Sequence, residues 1–145
     1  MFKKILVVCV GNICRSPIGE VLLQKHLPHL EVNSAGIAAL VGKPADPNSQ
    51  AVALKDDIDL SQHIAQKLTS EMIAEHDLIL VMEKGHIKAV TNLSPAARGK
   101  TMLFAQWNGQ KEIPDPYRQS LEAFEFVYEL MSESAEKWAE KLGKK

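Results

Sequence analysis

The stretch Val8-Cys9-Val10-Gly11-Asn12-Ile13-Cys14-Arg15-Ser16-Pro17 limits what this chain can become more than any other. It continues the apolar run Ile5-Leu6-Val7-Val8, whose β-branched content predicts a strand buried on both faces. Ser16-Pro17 predicts the start of a helix, an N-cap followed by proline at the first helical position, with the helix reaching about Leu27 before Pro28. The chain must therefore pass from strand to helix through a few residues that include glycine, asparagine, two cysteines and an arginine.

The remaining pattern repeats this alternation. Residues 30–34, 77–82 and 101–104 read as further strands. Asp46-Pro47 opens a second helix to about Lys55, Thr69 caps a short third one, and residues 84–92 predict a fourth. Residues 36–44 and 105–118 read as loops. In the last segment Leu121, Phe124, Val127, Tyr128, Met131, Ala135, Trp138 and Leu142 recur at steps of three and four, the signature of one long amphipathic helix. Strands separated by helices predict an α/β fold, a parallel sheet with helices on both faces. A length of 145 residues predicts one domain, residues 1–145. Ligands of such sheets sit at the carboxyl ends of the strands, which directs attention to the turn after the first strand.

That turn carries its own chemistry. Gly11 and Asn12 are the residue types that best tolerate left-handed backbone, so a loop turning through them can aim successive N–H groups inward. Such a nest at a helix N-terminus is an anion site of the size of a tetrahedral oxyanion. The same field, with Arg15 nearby, favours the thiolate form of a cysteine standing in it. Cys9 is then a nucleophile, Arg15 a planar fork gripping two phosphoryl oxygens, and Ser16 a hydroxyl donor to the sulfur. These parts describe attack on a phosphate ester through a cysteinyl-phosphate intermediate. A buried cysteine is often an inert small hydrophobe. The strand before, Gly-Asn within and the helix start after favour the catalytic reading of Cys9. For Cys14 two readings stay open: packing under the loop, or pairing with Cys9 in a reversible disulfide.

A departing alkoxide or phenolate needs a proton. The turn itself offers no acid, because Glu20 falls inside the first helix. Asp115, in Ile113-Pro114-Asp115-Pro116-Tyr117, is the best candidate, since the flanking prolines stiffen the backbone that carries it. It would protonate the leaving oxygen and then accept a proton from water. Tyr117 is a candidate wall against which an aromatic ring stacks.

The turn, together with Ser34-Ala35-Gly36, Ser61-x-His63-x-Ala65, the strand at 77–82 and Asp115-Pro116-Tyr117, resembles the low-molecular-weight protein tyrosine phosphatases over nearly the whole chain. The resemblance implies a four-stranded parallel sheet flanked by helices, with a phosphate-binding loop after the first strand, made of Val10, Gly11, Asn12, Ile13, Cys14 and Arg15. It implies Cys9 as nucleophile, Arg15 as clamp and Asp115 as general acid. It also implies that Asn12, Ser16, Glu20 and His63 form a network bracing the loop. No metal and no cofactor enter. Within the family the chain is most similar to the bacterial branch that accompanies tyrosine autokinases in capsule and exopolysaccharide assembly. Leu40 and Arg118 carry that narrower likeness, because many eukaryotic members have an aromatic residue near the first position and a second tyrosine at the second. The cleft wall therefore has less aromatic area and one added positive charge. Two other functions share the loop: an arsenate reductase of the same fold, and an inactive phosphotyrosine-binding module. Reduction of arsenate needs further cysteines, and none follows Cys14.

Composition agrees. Seventeen Lys and Arg against 18 Asp and Glu leave a net charge of -1, which argues against nucleic acid or an anionic membrane as a partner held by bulk charge. The charge is uneven. Residues 1–30 carry Lys3, Lys4, Arg15 and Lys25 against the single acid Glu20, so the loop lies in a positive segment. No apolar stretch approaches a membrane span or a signal peptide, and two cysteines suit a reducing compartment, so a cytoplasmic location is expected. The histidines 26, 29, 63, 76 and 86 do not pair with the cysteines at zinc spacing. Gly99-Lys100-Thr101 lacks the upstream glycine of a nucleotide-binding loop and reads as the entry to a strand.

Overall fold

The computed structural model describes residues 2–143. The elements run β1 Lys4–Cys9, α1 Arg15–His26, β2 Glu31–Gly36, α2 Pro47–Leu54, α3 Ser70–Glu75, β3 Leu78–Val81, α4 Lys84–Leu93, a 3-10 turn Pro95–Ala97, β4 Thr101–Leu103 and α5 Leu121–Leu142. The four strands form one sheet in the order β2-β1-β3-β4, and every pairing is parallel. Residues 5–8 of β1 are fully buried because that strand is flanked on both edges and covered on both faces.

The strand period of two divides the core. Ile5, Val7 and Cys9 face a layer built by α1, α2 and α5, where Ile18, Leu23, Phe124, Met131 and Trp138 pack. Leu6 and Val8 face a second layer with Ile73 of α3 and Val90 of α4. Helices therefore cover both faces, as the alternating pattern predicts. The predicted caps hold at two sites: the Asp46 side chain accepts from the Asn48 N–H at 2.8 Å, and Thr69 Oγ1 accepts from the Met72 N–H at 3.2 Å. Thr101 opens β4, in line with the strand-entry reading. No helix among the described residues is long and apolar enough to cross a membrane.

Beyond shifts of one residue at other element ends, two differences from expectation bear on the loop. Helix α1 begins at Arg15 with Cys14 in the cap position, so Ser16 and Pro17 are the second and third helical residues rather than cap and first residue. The Ser16 hydroxyl is held inside the loop by Asn12 and Cys9, which leaves it no role as a cap. Pro17 is tolerated there because the first four N–H groups of a helix have no intrahelical acceptor. Strand β2 runs to Gly36, past the predicted end at Ser34, because Ala35 and Gly36 stay in register with Val8 and Cys9.

That extension carries β2 alongside the start of the loop. A Cβ on Gly36 would lie 2.5 Å from the carbonyl oxygen of Val10 and 3.0 Å from the Asn12 Cβ. Only glycine lets the two backbones approach this closely. Gly36→Ala is expected to lower the unfolding free energy by about 1–3 kcal/mol, read by urea denaturation. An unchanged midpoint would show that the loop yields freely.

Candidate active site

The loop leaves the carboxyl end of β1 in the middle of the sheet and turns at Asn12, whose φ is 59°. Gly11 is not in the left-handed region, contrary to the expectation that both residues turn there. One asparagine suffices because its side chain is fixed on every side. Asn12 Nδ2 donates to Ser16 Oγ at 2.7 Å and to Ser34 Oγ at 3.0 Å, while its Oδ1 accepts from the Gln66 N–H at 2.9 Å. His63 Nε2 donates to the Asn12 carbonyl at 2.6 Å. Ser34 Oγ in turn donates to Glu20 Oε1 at 2.5 Å. Left-handed backbone at a non-glycine residue persists where its surroundings over-determine it, and four partners do so here. Burial pushes the Glu20 carboxyl above the usual carboxylate range, opposed by the Ser34 hydroxyl and nearby His63.

Cys9 ends β1 with 2% of its surface exposed. Its Sγ lies 3.0 Å from Ser16 Oγ and accepts from the Ser16 N–H at 3.4 Å. Since Ser16 Oγ already accepts from Asn12, its own proton is free to point at the sulfur. An amide of the first helical turn and a hydroxyl thus converge on one thiol.

Arg15 opens α1 and is 1% exposed. Its Nη1 donates to Glu83 Oε2 at 2.7 Å and to the Ile113 carbonyl at 2.8 Å, and its Nη2 lies 3.8 Å from Asp115 Oδ2. Its Nε has no partner among the described residues. A buried cation of this kind is tolerable only when paired and hydrogen-bonded.

One cleft collects most of the predicted residues. Cys9, Arg15 and the loop residues Val10, Gly11, Ile13 and Cys14 line it, with Leu40 on one side and Asp115 and Tyr117 on another. The Asp115 carboxylate is on the exposed rim, where its Oδ1 accepts from the Tyr117 N–H at 3.0 Å. Asn12, Ser16, Glu20 and His63 stand behind the loop instead of in the cleft. Cys14 is buried in the core beside α2, and burial pushes its thiol well up, with Asp46 and Cys9 adding to the effect. Cys9 and Cys14 are both free thiols.

Sequence reasoning missed Glu83, Ser34, Gln66 and the Ile113 carbonyl. Glu83 had a usable signal, because it falls just beyond β3, at the end of the sheet where ligand-binding groups gather. Its carboxylate also caps α4 in a reciprocal arrangement with His86. Burial and then Arg15 hold the His86 imidazole below its ordinary pKa.

Known proteins place this arrangement in context. Residues 4–145 match the model of the low molecular weight phosphotyrosine protein phosphatase family. The chain is 54% identical over 142 residues to the low molecular weight protein-tyrosine-phosphatase Wzb of Salmonella typhimurium, covering 98% of this chain and 95% of that protein. It is similar in structure to Vibrio vulnificus Wzb in complex with benzylphosphonate, with a TM-score of 0.96, 60% identity and coverage of 98% of this chain and all of the other. Wzb of Escherichia coli K30, in complex with sulphate, superposes with a TM-score of 0.96 at 52% identity over 99% of this chain and 100% of that one.

The bracing of Asn12 generates a direct test. Asn12→Ala removes a donor from the buried Ser16 and Ser34 hydroxyls and the acceptor of the Gln66 N–H, and places alanine in left-handed backbone. A stability loss of about 2–4 kcal/mol is expected by chemical denaturation, with weaker binding of inorganic phosphate. A loss below about 1 kcal/mol would mean that the network does not hold the loop.

Proposed function

The chain belongs to the low molecular weight phosphotyrosine protein phosphatase family and is a protein-tyrosine-phosphatase; from that premise we propose that it works through a cysteinyl-phosphate intermediate on Cys9. The phosphoryl group sits in the loop 10–15, its oxygens held by backbone N–H groups and by Arg15. Cys9 Sγ attacks phosphorus as the bond to the aryl oxygen breaks, and Asp115 gives that oxygen its proton. Water then attacks phosphorus, Asp115 takes the proton back, and the sulfur leaves as a thiolate steadied by the Ser16 hydroxyl and N–H. Inorganic phosphate is the second product. Glu83 and Ile113 act as positioning groups for Arg15, and Asn12, Ser16, Glu20 and His63 hold the loop. Leu40 and Tyr117 form the walls that receive the aromatic ring.

One observation carries this reading: a buried thiol with two donors, a buried guanidinium and a rim carboxylate share a single cleft. Benzylphosphonate in the Vibrio vulnificus relative combines a tetrahedral anion with an aromatic ring, the pairing proposed here for the substrate. Arsenate reduction is less well supported, since the sequence has two cysteines and both are in the loop. Residues 1–145 act as one phosphatase domain on this reading. The proposed partner is a bacterial tyrosine autokinase of capsule or exopolysaccharide assembly, met in the cytoplasm, in keeping with the bacterial tyrosine phosphatases among the chain's relatives.

Cys9→Ser should abolish turnover of phosphotyrosine peptides and of small aryl phosphates alike. Unchanged turnover would sink the nucleophile. Asp115→Asn should slow esters with poor leaving groups by about 10²–10⁴-fold and good ones far less. Equal losses across a leaving-group series would remove Asp115 from the acid role.

A further inference from the structure

Arg118 stands in a turn that does not suit it. The Gln119 N–H donates to the Pro116 carbonyl at 2.9 Å, closing a four-residue turn with Tyr117 and Arg118 in its centre. Arg118 has φ of 64° and Tyr117 is not in the left-handed region, so the turn is type II with Arg118 at the position that favours glycine or asparagine. An arginine there is strained, and such strain persists where the side chain has a use.

The placement of the side chain suggests what that use is. Arg118 is exposed and forms no ion pair with any described residue. Its guanidinium carbon lies 5.3 Å from the centroid of the Tyr117 ring, within cation–π range. Tyr117 in turn lines the phosphate cleft. The ring thus holds a cation at the mouth of the site, free to pair with something outside the protein. The charged side chains lining the cleft are Arg15 and Asp115, and Glu83 pairs with Arg15 alongside Asp115. Arg15 is buried and committed to those carboxylates and the loop, which leaves Arg118 as the cation that segment 113–119 presents to an incoming chain.

We propose that Arg118 is a specificity-determining residue that binds the carboxylate of an acidic side chain one or two positions from the substrate phosphotyrosine. An extended polypeptide advances roughly 3.3–3.6 Å per residue, so a neighbour at that separation reaches from a ring in the cleft to the far side of Tyr117. This inference rests on the phosphotyrosine reading above and adds the class of sequence that surrounds the target. A planar guanidinium offers a paired fork to a carboxylate, and its rim position makes the contact sensitive to salt.

The test compares two phosphotyrosine peptides that differ only in glutamate or glutamine beside the phosphotyrosine, with p-nitrophenyl phosphate as a substrate that has no flanking residues. Wild-type enzyme should show kcat/KM about threefold to fivefold higher for the glutamate peptide at low ionic strength, the range of an exposed ion pair. The preference should vanish in Arg118→Gln and fade in high salt, with p-nitrophenyl phosphate turnover unchanged. Arg118→Gly should lose the preference while raising Tm, because it relieves the turn. Equal kcat/KM for the two peptides in wild-type enzyme would overturn the inference, as would a preference that survives Arg118→Gln. A lower Tm with selectivity intact in Arg118→Gly would also overturn it, marking a residue kept for the turn. Hydrolysis of p-nitrophenyl phosphate with neither peptide touched would overturn the phosphotyrosine reading itself, an outcome separate from the other three.

Discussion

A guanidinium buried under the floor of a cleft is the constraint on which the rest of this structure depends. Removing a cation from water costs several kcal/mol unless opposite charge and hydrogen bonds meet it. Arg15 meets three groups on two separate parts of the chain: Glu83 after β3, and the Ile113 carbonyl and the Asp115 carboxylate (at 3.8 Å) on the loop before α5. Docking Arg15 therefore draws the loop 105–118 over the sheet and brings a carboxylate to the mouth of the phosphate loop. The electrostatic requirement of one side chain fixes where the proposed acid stands relative to the proposed nucleophile.

The second dependence is steric and local. The loop turns in left-handed backbone at Asn12, and the asparagine is held by Ser16, Ser34, Gln66 and His63. Gly36 lets β2 lie against the same loop with no side chain between them. Because these partners come from β2, α1 and the segment before α3, the loop is preorganised by the fold rather than by a ligand. Preorganised donors need no rearrangement when charge develops on the phosphoryl oxygens.

How much of this was legible in the sequence follows from the range of each interaction. The strand, the helix and the turn between them are local, so the run Ile5 to Pro17 disclosed them directly. Asp115 was legible from its two prolines, and α5 from its periodicity. The Ser16 cap was misplaced because a local rule assigned the hydroxyl to the helix, whereas Asn12 and Cys9 hold it in the loop. Gly11 looked as capable of the left-handed turn as Asn12. The choice between them depends on Ser34, Gln66 and His63, which are distant in sequence. Glu83 had a signal in its place just beyond β3, but its pairing with Arg15 was not legible, because the two are 68 residues apart. Arg118 was legible only as an added charge. Its strained turn and its place over Tyr117 emerge from the structure alone.

The central claim is that Cys9 carries the phosphoryl group during turnover. Acid quenching of the enzyme during steady-state hydrolysis of a phosphotyrosine peptide, followed by mass spectrometry of its fragments, tests this most directly. The account predicts phosphate on the fragment containing Cys9, attached to sulfur, with accumulation increased in Asp115→Asn when the leaving group is good, because release to water then lacks its base. Full turnover with no phosphorylated fragment at any quench time, or phosphate on another residue, would contradict it.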